Sequence, residues 1–130
     1  MAKLRAHRST LNVPATIVTA LLPKDTIVSI TGNNTVDKAP ANALPIGIVL
    51  KPSRTASGSG TIETRFNQLL EVKASGAVVA GTRAKMAAVD GTTGENRVAT
   101  FVEGTDPEGR CIGIFWKGGA DGATVEVLTY

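Results

Sequence analysis

The chain has 130 residues, a formal net charge of +3 and 42% hydrophobic residues, enough to build one domain around its own core without disulfide or metal staples. A single cysteine, Cys111, excludes an intrachain disulfide and a cysteine-built metal site, and a single histidine, His7, leaves no material for a His-based metal centre or a nucleophile–His–acid triad. No run approaches the ~18 apolar residues of a membrane helix, and residues 1–22 lack the compact apolar block of a secretion signal, so a soluble protein made in a cytosol is predicted.

The charge is lopsided. Residues 1–24 hold Lys3, Arg5, Arg8 and Lys24 with no acid, whereas the remainder holds ten cations and eleven acids. A dedicated nucleic-acid binder would carry a basic stripe with interleaved aromatics across its fold, and only 4% of this chain is aromatic. No nucleic-acid partner is expected.

In chain order, residues 1–22 read as an extended arm. Pro14 blocks a helix and Pro23 marks a boundary, while Ala15–Leu21 has strand propensity. Thr26–Thr31 predicts a strand, ended by the Gly32-Asn33-Asn34 turn, and Val36–Ala43 reads as a loop. Ile46–Leu50 is a strand, Ser53–Gly60 a Gly/Ser turn, and Thr61–Phe66 alternates as a strand. Leu69–Lys73 continues as strand after a bend at Asn67-Gln68. Thr82–Val89 is alanine-rich and ambiguous between strand and helical turns. Asp90–Gly94 is a turn, Asn96–Val102 a strand, and Gly104–Gly109 a loop.

One phrase occurs twice. Ile46-Gly47-Ile48-Val49-Leu50, a Gly/Ser turn and then Gly60-Thr61-Ile62-Glu63-Thr64 is matched by Ile112-Gly113-Ile114-Phe115-Trp116, a Gly turn and Gly122–Val127. Each copy reads as strand, reversal, strand. With strand signals every 8–12 residues, this predicts a mainly β fold, a small barrel or sandwich with two similar halves over residues 23–130 and at most one short helix.

The candidate chemical sites all have plainer readings. Glu103, Asp106 and Glu108 share a loop with Gly104, Pro107 and Gly109, where charges keep a turn in water. Gly118–Gly122 lacks the Lys-Ser/Thr of a phosphate loop and precedes no helix. Ala84-Lys85-Met86-Ala87 only faintly resembles a biotinyl or lipoyl carrier hairpin, and Asn33-Asn34-Thr35 is a glycosylation sequon without a secretion signal. Trp116 reads as core or subunit-interface filling. No catalytic residue, cofactor or metal site is predicted.

The order of motifs nevertheless resembles a family. A basic start is followed by Pro23–Val28 (PKDTIV), Ile46–Val49 (IGIV), Ala80–Lys85 (AGTRAK), Ile112–Phe115 (IGIF) and a closing Gly122–Val127 (GATVEV). This is similar to the small Gly/Ala/Val-rich capsid cement or decoration proteins of tailed bacteriophages, over most of residues 23–130. The resemblance implies a β-tulip-like domain forming homotrimers on the outer surface of an icosahedral virion, with the major capsid protein as partner and no membrane. Such a clamp needs buried area and an extending arm rather than chemistry. In that setting Lys3, Arg5 and Arg8 would steer the arm to an acidic capsid surface, and Ile17, Val18, Leu21, Leu22 and Trp116 would form capsid or subunit contacts. The competing reading is a trimeric small-ligand-binding or nucleotide-hydrolase-like β-barrel, whose Asp-rich and Gly-Tyr motifs are missing here. A bacterial surface module would need an export signal.

Overall fold

The computed structural model describes residues 10–65 and 69–129. They form ten strands: β1 Thr10–Ile17, β2 Ile27–Gly32, β3 Thr35–Lys38, β4 Pro45–Lys51, β5 Gly58–Arg65, β6 Leu69–Ala74, β7 Arg83–Met86, β8 Arg97–Thr100, β9 Gly113–Lys117 and β10 Thr124–Thr129. A 3-10 turn at Glu108–Arg110 interrupts the loop before β9. Among the described residues no helix is long and apolar enough to cross a membrane. The fold is mainly β, and it comprises two closed barrels rather than one.

The first barrel closes in the order β1-β3-β2-β4-β5 and the second in the order β6-β8-β7-β9-β10. In each, the first strand runs parallel to the third and antiparallel to the fifth. The registers also coincide. Thr16 and Ile17 face Thr35 and Val36 as Lys73 and Ala74 face Arg97 and Val98. Gly47 faces Thr64, and Ile48 faces Glu63, as Gly113 faces Thr129 and Ile114 faces Leu128. Even the turns leading into β2 and β7 match: Thr26 and Thr82 each donate Oγ1–H to the carbonyl three residues back, at 2.7 and 2.6 Å.

The repeated Ile-Gly-Ile phrase occupies β4 and β9, and its glycine has a steric reason. A Cβ at Gly47 would be driven into the Glu63 carbonyl, and one at Gly113 into the Leu128 carbonyl. The barrels are narrow there, so the neighbouring strand leaves room for hydrogen alone.

Each barrel has its own filling. Ile17, Leu22, Val28, Val36, Val49 and Ile62 pack inside the first. Inside the second, Val72, Met86, Val98, Phe115, Val125 and Val127 form a cluster that three outward residues of the first barrel join: Ile27, Ala39 and Ile48. Polar contacts sew the same seam. The Asn96 side chain accepts from the Ile27 N–H at 2.8 Å and donates to the Ile27 carbonyl at 3.2 Å. Lys38 Nζ donates to the Gly94 carbonyl at 2.6 Å, and the Asn42 N–H to the Met86 carbonyl at 3.0 Å.

Three sequence expectations change. Residues 10–22 are no free arm: β1 pairs with β5 along its whole length, and Ile17 (0% exposed) and Leu22 (3%) are core. Pro14 is tolerated because β3 meets β1 only at Thr16 and Ile17, leaving the strand single-sided at the proline. The rest of the predicted arm, residues 1–9 with His7, lies outside the described residues. The segment read as a loop from Val36 contains β3, whose four residues are too short and polar to signal a strand. The ambiguous alanine-rich stretch contains β7, where Ala84 and Met86 point inward and barrel closure overrides helix propensity.

Candidate protein-interaction face

The second barrel presents an apolar outer face. The strand β9 is apolar on both sides: Phe115 points inward, while Ile114 and Trp116 alternate outward. Ile114 faces Leu128 on β10, and Leu128 faces Leu69 on β6, so an exposed row crosses three strands. Trp116, 64% exposed, stands two residues along β9 from that row. It borders an open hollow of about 610 Å³ floored by Ala80, Gly81, Ile114, Leu128 and Thr129. A large aromatic held in water against small residues is the profile of an interface anchor, since its burial yields the most area per immobilised rotor.

On the far side of β9 the row continues into charge, because Ile114 faces Arg83 on β7. The Arg83 guanidinium lies 4.7 Å from the centre of the Phe101 ring. It also pairs with Glu103 at 2.6 Å and Glu108 at 3.3 Å. Lys85, also on β7, reaches Asp106 at 2.7 Å, and the other Asp106 oxygen accepts from the Val102 N–H at 2.7 Å. The Lys85 hydrogen bond, followed by that from Val102, holds the Asp106 carboxyl below the usual carboxylate range. The three acids read from sequence as a solvated turn are therefore fastened to β7 by its two cations. Asp106, with its side chain 8% exposed, is the most enclosed of them. They form a clasp in which each carboxylate faces a cation.

The predicted contact residues fall in several places. Trp116 is exposed on the apolar face. Leu21 is exposed, with a φ of 57°, and its N–H donates to the Ser53 carbonyl at 2.7 Å. Val18 is half-buried beside β3, its N–H donating to the Val36 carbonyl at 3.0 Å. Ile17 and Leu22 are buried and cannot touch a partner. Lys3, Arg5 and Arg8 lie outside the described residues. Sequence reasoning missed Leu69, Ile114 and Leu128. The signal was present, because an unbroken apolar run such as Ile112–Trp116 in an antiparallel strand means that both faces favour cover.

Among the described residues no group of three or more His, Cys, Asp or Glu could hold a metal ion. A cleft of about 470 Å³ with a mixed lining lies along the seam between Pro23–Ile27 of the first barrel and Glu71–Lys73 and Thr93–Asn96 of the second.

Tandem five-stranded barrels with one shared register define the structural class. The crystal structure of the head fiber gp8.5 N base of bacteriophage phi29 has a similar fold, with a TM-score of 0.59 at 12% identity, covering 93% of this chain and 94% of that one. No protein-family model matches the sequence, and no curated protein matches it.

Proposed function

We propose that this chain is a structural protein of a tailed-phage head that docks on the outer capsid surface, as a homotrimer, and ties neighbouring major capsid subunits together without catalysis. The observation that carries this reading is the paired-barrel likeness to a phage head fiber base along nearly the full length of both chains. The motif order similar to that of capsid cement proteins supports it independently. An exposed Trp116 face and a clasp of paired charges suit a protein that works by buried area. Residues 1–9, with Lys3, Arg5 and Arg8, supply the excess positive charge that would steer the molecule toward an acidic shell, an effect that weakens with salt.

Mass spectrometry of purified virions and co-sedimentation of the purified protein with capsids test the reading. The expected result is stoichiometric decoration that loosens as salt rises. Absence from virions together with no capsid binding would overturn it.

A further inference from the structure

The two barrels are register-equivalent, so every surface of one has a counterpart on the other. The first barrel's outward Ile27, Ala39 and Ile48 are covered by the second barrel. The shared registers place Arg83, Phe101 and Ile114 at those three positions in the second barrel, and place Trp116 where the first has Leu50. There the face continues through Ile114, Trp116 and Leu128 and is exposed. The reverse holds for the opposing surface. The second barrel meets the first through the Met86 carbonyl, which accepts from the Asn42 N–H, and through the Asn96 side chain, and the equivalent positions in the first barrel are Ile30 and Asn34. Both are exposed, Ile30 at 63%. One molecule thus carries both halves of its own seam a second time, with Ile114, Trp116, Ile30 and Asn34 exposed and Phe101 covered by its own Arg83.

We propose that the Ile114–Trp116–Leu128 face binds the Ile30–Asn34 surface of a second copy of this chain, repeating head to tail the seam that joins the two barrels within one chain. The same asparagine residue type stands at both equivalent positions, Asn34 and Asn96, and the latter clamps the backbone of β2 across the internal seam. Charge agrees as well. The Ile114–Trp116–Leu128 face borders the clasp, whose three acids outnumber its two cations, while Pro14 and Ser59, the counterparts of seam residues Glu71 and Thr124, line a hollow with Lys51 and Arg54. A contact between two different surfaces is heterologous, so it propagates until a ring closes. This inference rests on the self-association in the proposed function, and it is independent of capsid binding.

The test uses Trp116→Glu and Ile30→Glu in the full chain, each at an exposed site, with far-UV circular dichroism to verify the fold. Sedimentation velocity should show the wild type self-associated and each variant weakened by about 30-fold or more. An equimolar mixture should recover a one-to-one pair, because one intact copy of each surface remains. A wild type that stays monomeric at every concentration, or an Ile30→Glu variant that associates like wild type, would overturn the inference. Capsid co-sedimentation of the same samples separates the two readings. A monomer that still decorates capsids sinks this inference alone, and a head-to-tail oligomer that ignores capsids sinks the capsid reading alone.

Discussion

The first and second barrels share strand order, register and even the threonine-capped turns before β2 and β7, yet their outer faces differ in what they meet. On the first, Ile27 and Ile48 are buried against the other barrel. On the second, Ile114 is exposed with Trp116 beside it, while Arg83 is half-buried among Phe101, Glu103 and Glu108. The inward residues are apolar in both barrels, while the outward ones follow whatever lies opposite. Closure constrains a barrel's interior, and the partner sets its exterior.

The largest expected effect breaks this equivalence outright. Deleting residues 1–22 removes β1, the strand that closes the first barrel, together with the buried Ile17 and Leu22. Hydrogen exchange should show protection lost across β2–β5. Deleting residues 1–9 should leave stability within about 0.5 kcal/mol of wild type, because every described strand remains. Equal loss of protection in both truncations would refute the reading of β1 as a barrel stave.

Next come the paired glycines. Gly47→Val and Gly113→Val should each destabilise by about 3 kcal/mol or more in urea titrations, since the clash is with a backbone carbonyl that cannot swing away. Gly91→Ala, with open space around it, should be silent to about 0.5 kcal/mol. A tolerated valine at either paired position would show that the two barrels are less alike than their registers.

A smaller effect separates the seam from its uncovered counterpart. Asn96→Ala should cost about 1–3 kcal/mol, as it strands both the N–H and the carbonyl of Ile27. Asn34→Gly, which keeps the left-handed backbone of this turn (φ 53°), should cost under about 0.5 kcal/mol in the monomer. Matching losses would mean that Asn34 already has an equivalent structural role within the chain.

The smallest effect is on acid stability. The two carboxyls held below their ordinary range, Asp90 and Asp106, both belong to the second barrel's loops. For Asp90 the main causes are the N–H groups of Thr93 and Thr92, and for Asp106 the Lys85 ammonium. A depressed folded-state pKa contributes stability above the unfolded value of about 3.9 and loses it as pH falls through the lower folded value. Below about pH 4 the second barrel should therefore weaken before the first, and Asp106→Asn should flatten that part of the profile. Thermal melts read by tryptophan fluorescence at Trp116 would check this. Loss of the first barrel's exchange protection at higher pH than the second's would contradict it.

The repeat was legible at β4 and β9 because a steric rule wrote it into side chains: only glycine fits at Gly47 and Gly113. The equivalence of β1 with β6 was not legible. TLNVPATI and LLEVKA share a backbone register, which leaves no mark on residue type. Pro14 misdirected the reading for a related reason, since its tolerance depends on where β3 begins to pair and not on any neighbour in sequence. The interaction face was half legible. Trp116 stood out by size, whereas Leu69 and Leu128 come together with Ile114 only through strand pairing.

The strand pairings also decide where anything attached to this molecule must point. Thr10 pairs with Arg65, and Leu128 pairs with Leu69. The chain between Arg65 and Leu69 can span no more than about 14 Å, and each paired Cα is about 5 Å from its partner, so Thr10 and Leu128 lie within about 25 Å of one another. Labels placed at Thr10 and at Leu128 therefore report on the same region of the molecule, and either one suffices to tell whether a bound partner covers that region.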